Sequence, residues 1–139
     1  MSEFEKSDMG SRCMGDGTPT GSHVLIDYVG YVPPSEDEAQ WVLDLLRKCI
    51  YDCGIREVHA HAETFDGGKS PPGFAAVVLI DESHVTAHCY SERGILAIDV
   101  FTCGKHDPDI LADSIHRAMV SSNPGLRAIS RERVERFKE

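Results

Sequence analysis

Apolar and polar positions alternate from residue 23 to residue 31. Val24, Ile26 and Tyr28 fall on one side, and His23, Leu25, Asp27 and Val29 on the other. That period of two predicts a strand with one buried face. The segment Pro33-Pro34-Ser35-Glu36-Asp37-Glu38 then reads as a helix start. Ser35 is the expected cap, Glu38 has the spacing to reach back to it, and three acids suit the positive end of a helix dipole. Val42, Leu45, Leu46, Cys49 and Cys53 make the helix's apolar stripe, and Gly54 ends it.

A second strand is predicted over 55–64, followed by a loop over 65–73 rich in Gly and Pro. Residues 74–80 are almost continuously apolar, as in a strand covered on both faces. Strands over 84–90 and 95–102 follow, joined by a turn at Ser91-Glu92-Arg93-Gly94. Asp107-Pro108 opens a second helix by cap and first-turn proline. Its buried stripe is Ile110, Leu111, Ile115, Ala118 and Met119, and Asn123-Pro124-Gly125 stops it. The charged tail from Leu126 to Glu139 is expected as a short exposed helix. The order β-α-β-β-β-β-α predicts an α+β fold, a two-layer sandwich of an antiparallel β-sheet with helices packed on one face. Residues 1–22, rich in Gly, Ser, Asp and Thr, are expected as a flexible N-terminal arm, leaving 23–139 as a single domain.

A length of 139 residues fits one domain. The net charge of −9 argues against nucleic-acid and anionic-membrane partners and is compatible with a small cationic substrate. Five cysteines are an odd number, and residues 1–21 lack the apolar core of a signal peptide. Reduced thiols in a cytoplasmic protein are therefore expected.

The chemistry concentrates in two runs, Asp81-Glu82-Ser83-His84-Val85-Thr86-Ala87-His88 and Asp99-Val100-Phe101-Thr102-Cys103-Gly104. A Glu-Ser bond after an apolar run, a histidine five positions on and a cysteine twenty positions on resemble the bacterial S-adenosylmethionine decarboxylase proenzymes. The resemblance extends over roughly residues 21–120. It implies self-cleavage between Glu82 and Ser83 into a β chain (1–82) and an α chain (83–139). Ser83 would become a pyruvoyl cofactor that forms a Schiff base with the substrate amine and accepts electrons as carbon dioxide leaves. By the same resemblance His88 handles protons in processing, Cys103 reprotonates carbon in decarboxylation, and Glu92 holds the ribose hydroxyls. It further implies a homo-oligomer, a dimer of αβ units, acting in polyamine (spermidine) synthesis.

The chain also departs from the family pattern. Cys89-Tyr90-Ser91-Glu92 replaces Thr-Trp-Pro-Glu, and the loop before the central strand is longer and carries Glu63, Asp66 and Lys69. Phe65 is the candidate to stack on adenine. Ala75 stands where a hydroxyl residue is usual, and Asp81 where a small one is. Extra carboxylates such as Asp66 and Asp81 fit an alternative substrate, L-arginine or L-ornithine, on the same pyruvoyl scaffold. Two other classes compete. Cys49 and Cys53 with His59 and His61 offer zinc-compatible ligands, but both cysteines extend the helix stripe, so the expected site has no metal. An inert regulator finds no support while Ser83, His88 and Cys103 are all present.

Overall fold

The computed structural model describes residues 21–137. The expected arm lies outside the described residues except for Gly21 and Ser22, which open the first strand. In chain order the elements are β1 (Gly21–Val29), α1 (Glu38–Asp52), β2 (Glu57–Phe65), β3 (Gly73–Ile80), β4 (Ser83–Tyr90), a short 3₁₀ turn (Ser91–Arg93), β5 (Ile95–Thr102), α2 (Pro108–Ser122) and β6 (Arg127–Arg136). The six strands form one sheet in the order β2-β3-β4-β5-β1-β6, with every neighbouring pair antiparallel.

The alternation read in the sequence decides which face is buried. Val24, Ile26 and Tyr28 of β1, Ala76, Val78 and Ile80 of β3, Val85 and Ala87 of β4, and Ile98 and Val100 of β5 all lie under the helices. Val42, Leu43, Leu46, Cys49 and Ile50 of α1 close over them, as do Leu111, Ala112, Ile115 and Met119 of α2. Phe74 is fully buried in this layer. Truncating such a ring to alanine costs about 3–5 kcal/mol through lost burial and the cavity left behind. Among the described residues no helix covers the opposite face, which carries His61, Thr86, His88, Asp99 and His23.

Four expectations change. The charged tail is a strand, β6, paired antiparallel to β1. Its register places Arg131 opposite Ile26 and Arg133 opposite Val24, so both arginines stand on the helix side. There Arg131 pairs with Asp109 and Asp113, and Arg133 with Asp107 and Asp109, at the start of α2. Ion pairs replace apolar contacts on this edge strand, and hydrophobic periodicity cannot register them. Second, Ser35 does not cap α1. Asp37 does, its side chain accepting from Gln40 N–H at 3.4 Å, while Ser35 Oγ accepts from Asp37 N–H at 3.0 Å. Glu38 does not reach back, because its carboxylate is taken by Tyr31 and Ser91. Third, Ile110 is 61% exposed, one position off the stripe that begins at Leu111. Fourth, β1 ends at Val29. Gly30 takes φ 78° and a Cβ there would collide with the Gly125 carbonyl, so the chain turns and Tyr31 buries below the sheet.

Candidate active site

Ser83 opens β4 directly after a two-residue turn, Asp81-Glu82, and pairs with Ile80 across the hairpin. Asp81 sits at φ 44°, a left-handed conformation that hairpin turns usually assign to Gly or Asn. Its carboxylate is held by Arg56, Nε to Oδ1 3.0 Å. β5 runs beside β4 and ends at Thr102, which brings Cys103 to the same end of the sheet. The Cys103 backbone N–H donates to Ser83 Oγ at 3.1 Å, and Cys103 Sγ lies 3.0 Å from Glu82 Oε1. Thr102 Oγ1 donates to the His106 carbonyl at 2.7 Å, folding the chain after β5 back over this corner. A cavity of about 220 Å³ lies here, lined by Arg56, Asp81, Glu82, Ser83, Cys103, Lys105 and His106. Thus Cys103, twenty positions on in sequence, forms one cluster with Asp81, Glu82 and Ser83.

His88 is elsewhere. It stands five positions after Ser83, an odd offset, so the pleat turns the two side chains to opposite faces about 17 Å apart along the strand. On the open face His88 contacts Tyr90 and Phe65, with ring centroids 5.2 and 6.4 Å away. Beside them is a second concavity of about 530 Å³, lined by His88, Tyr90, Asp27, Asp99, Ala97 and Ile129 among others. A register shift between Asp27 and Tyr28 skips Ile129 in the pairing of β6 with β1, which places that side chain at the rim. Glu92 is exposed on the 3₁₀ turn that follows Tyr90, at this same end of the sheet. Asp66 is exposed in the loop after β2, where it accepts from Gly68 N–H at 2.9 Å. One chain therefore carries two separate clusters, one around Ser83 and one around His88.

Between them, along β4 and β5, His84 stacks on Phe101 at 5.4 Å and meets His23 edge-on at 6.3 Å. Burial, followed by the nearby His23, pushes the His84 pKa below its usual value. Asp99 accepts from Thr86 Oγ1 at 3.1 Å and lies 3.9 Å from His23 Nε2. Cys89, on the buried face, is pushed up to about 12, chiefly by desolvation. Such a thiol stays protonated and inert.

A family model described as S-adenosylmethionine decarboxylase matches residues 22–132. The chain belongs to the S-adenosylmethionine decarboxylase family. A relative named S-adenosylmethionine decarboxylase proenzyme, from Bacillus velezensis, is 34% identical over 93 residues, covering 67% of this chain and 68% of its own length. Proteins of the same name from Persephonella marina and Methanococcus maripaludis are 34% and 30% identical, covering 60% and 62% of this chain and 60% and 67% of their own lengths. The crystal structure of the adenosylmethionine decarboxylase from Aquifex aeolicus VF5 superposes with a TM-score of 0.64 at 23% identity. It covers 86% of this chain and 92% of that one, a likeness of fold.

Within this family member, sequence reasoning missed several groups at the two concavities. Arg56, Lys105 and His106 line the Ser83 cavity, and Asp27 and Asp99 line the open-face concavity. Asp27 and Asp99 were visible as charges at outward positions of apolar strands, a signal that pattern reading passes over as solvated. Cys49 is buried in the core, and His61 pairs with exposed Glu63 at 2.7 Å. Among the described residues no three His, Cys, Asp or Glu side chains are gathered to hold a metal ion, and no helix is long and apolar enough to cross a membrane.

Proposed function

We propose that the chain cleaves itself between Glu82 and Ser83 and, so matured, decarboxylates S-adenosylmethionine for polyamine synthesis. The observation that carries this is the Ser83 corner, where the Cys103 amide fixes the serine hydroxyl beside a left-handed turn. In maturation Ser83 Oγ attacks the Glu82 carbonyl carbon, the C–N bond breaks as the acyl group moves to oxygen, and the proton given up by the hydroxyl is taken up by the released nitrogen. Loss of the Ser83 Cα proton then expels the Glu82 carboxylate, leaving dehydroalanine. Hydrolysis releases ammonia and leaves a pyruvoyl group at the head of 83–139. The left-handed Asp81 raises the energy of the uncut turn, and Arg56 keeps that geometry in place.

The residues around Ser83 fit such a group: a small cavity lies against it, and Cys103 borders it with both amide and sulfur. When formed, its ketone supplies an electron sink for the departing carboxylate. Cys103, once in its thiol form, would deliver the proton that replaces the carboxylate. The His88 half-site is completed by a second copy of the chain. Two protomers stacked open face to open face with opposed strand directions bring His88, Phe65 and Glu92 of one toward Ser83 of its partner. This explains how His88 acts in processing although its own Ser83 is about 17 Å away on the other face.

The relatives' names favour S-adenosylmethionine over arginine or ornithine. So do the carboxylates themselves. Asp81 is already paired with Arg56, and Asp66 is exposed at the opposite end of the sheet from Ser83. Processed enzyme given carboxyl-labelled S-adenosylmethionine, arginine and ornithine separately should release labelled carbon dioxide from the first alone. Release from either amino acid at comparable rate would reverse the assignment.

A further inference from the structure

We propose that Glu38, the first residue of α1, is a positioning residue that holds Glu92 toward substrate through Ser91. The inference rests on the reading of Glu92 as a substrate contact. Both carboxylate oxygens of Glu38 are occupied: Oε1 accepts from the Tyr31 hydroxyl at 2.7 Å and Oε2 from the Ser91 hydroxyl at 2.6 Å. Both bonds are short, as expected where a hydroxyl donates to a carboxylate. Tyr31 is only 3% exposed, so the first of them anchors the carboxylate to the core. Val32, the next residue, is fixed in turn by Asn123, which accepts from Val32 N–H at 3.1 Å and donates to Val32 carbonyl at 2.7 Å. The anchor therefore extends to the end of α2.

The turn that Glu38 grips is fastened at three points. Ser91 Oγ goes to Glu38, Ser91 N–H donates to the Pro72 carbonyl at 3.1 Å, and the Gly94 carbonyl accepts from Tyr31 N–H at 3.0 Å. Glu92 lies between the fastened residues, exposed and one position from Ser91. The two backbone ties fix where the turn begins and ends. The Glu38–Ser91 bond is the side-chain tie, and it sets the tilt of the single 3₁₀ turn between them. Helix α1 thus transmits its position to a substrate-binding carboxylate without touching substrate.

Ser91→Ala removes one hydrogen bond from the clamp and leaves both backbone ties. In fully processed enzyme it should raise KM for S-adenosylmethionine about fivefold, the value of one modest hydrogen bond, with kcat and the extent of self-cleavage unchanged. Ser91→Thr, which keeps the hydroxyl, should restore KM. Glu92→Gln should raise KM more, and Ser91→Ala added to it should cause no further rise, because the clamp then has nothing to position. An unchanged KM in Ser91→Ala, or an equal effect with and without Glu92, would overturn the clamp while leaving the Glu92 contact standing. A flat KM in Glu92→Gln alone would overturn both. Absence of decarboxylation by the unsubstituted enzyme would instead remove the proposed function beneath them.

Discussion

The backbone N–H of Cys103 donates to the hydroxyl of Ser83 at 3.1 Å, across two neighbouring strands that end together. The main chain, not the cysteine side chain, therefore holds the serine in place. The sulfur sits beside it, 3.0 Å from the Glu82 carboxylate, and takes no part in holding the hydroxyl.

That division of labour gives the first prediction. With reductant present, so that Cys103 stands as the thiol, Cys103→Ala should still cleave, since the amide survives. Its decarboxylation should fall about a hundredfold or more, the usual loss when a general acid is removed. Parallel electrophoresis and carbon dioxide release on the same sample separate the two effects. Wild-type turnover would end the assignment of Cys103 as proton donor.

His88 faces away from Ser83 of its own chain, so its contribution to processing should arrive from a partner. His88→Ala should mature slowly by itself. Co-expressed with Ser83→Ala chains, which cannot cut but retain His88, the His88→Ala chains should regain cleavage in the mixed dimers. Mass spectrometry distinguishes the two chain types. Slow cleavage that the second variant fails to rescue would place His88 outside the site of its partner.

Stability should depend on pH through His84. This ring is faced by His23 and Phe101, with Asp99 opposing, and burial first, then His23, holds its pKa below 6.5. A histidine that resists protonation when folded favours the unfolded chain, which takes up the proton freely, as pH falls. The contribution is fully present above 6.5, the unfolded value, and is lost as pH drops from there toward the lowered folded value. Urea midpoints should decline between pH 7.5 and pH 5, and His84→Gln should flatten that decline. An equally steep decline in the variant would assign the effect to other groups.

The edge strand β6 depends on its arginines. Arg133 spans Asp107, the cap before α2, Asp109 in its first turn and Glu135 of its own strand, with about 40% of its side chain exposed. Arg133→Ala should cost only about 1 kcal/mol in global stability, because partly exposed ion pairs are screened. Hydrogen exchange should instead quicken selectively at 127–136. Unchanged protection there would mean that the backbone ladder alone holds the strand.

Much of this molecule was legible in its sequence because burial is periodic. Val24, Ile26 and Tyr28, and Leu111, Ile115 and Met119, declared their buried faces by spacing alone. The Glu82-Ser83 and Cys103 pairing followed from family spacing, and register explains it physically: β4 and β5 are joined by a tight turn, so Ser83 and Cys103 must meet. What escaped were relationships without a period. The β6 arginines look like a solvated helix until the acids of α2 are placed opposite them. Glu38 looks like half of a capping box until Tyr31 and Ser91 reach it from distant segments. Separation of His88 from Ser83 was implicit in their odd spacing on one strand, yet it gains meaning only when the sheet's bare face is known.

The most direct measurement is the intact mass of freshly purified protein beside its Ser83→Ala variant. The unsubstituted protein should resolve into fragments 1–82 and 83–139, the second lighter by one ammonia than a fragment headed by serine, while the variant stays whole. An uncut chain, or a fragment 83–139 that still begins with an ordinary serine amine, would contradict self-processing at Ser83.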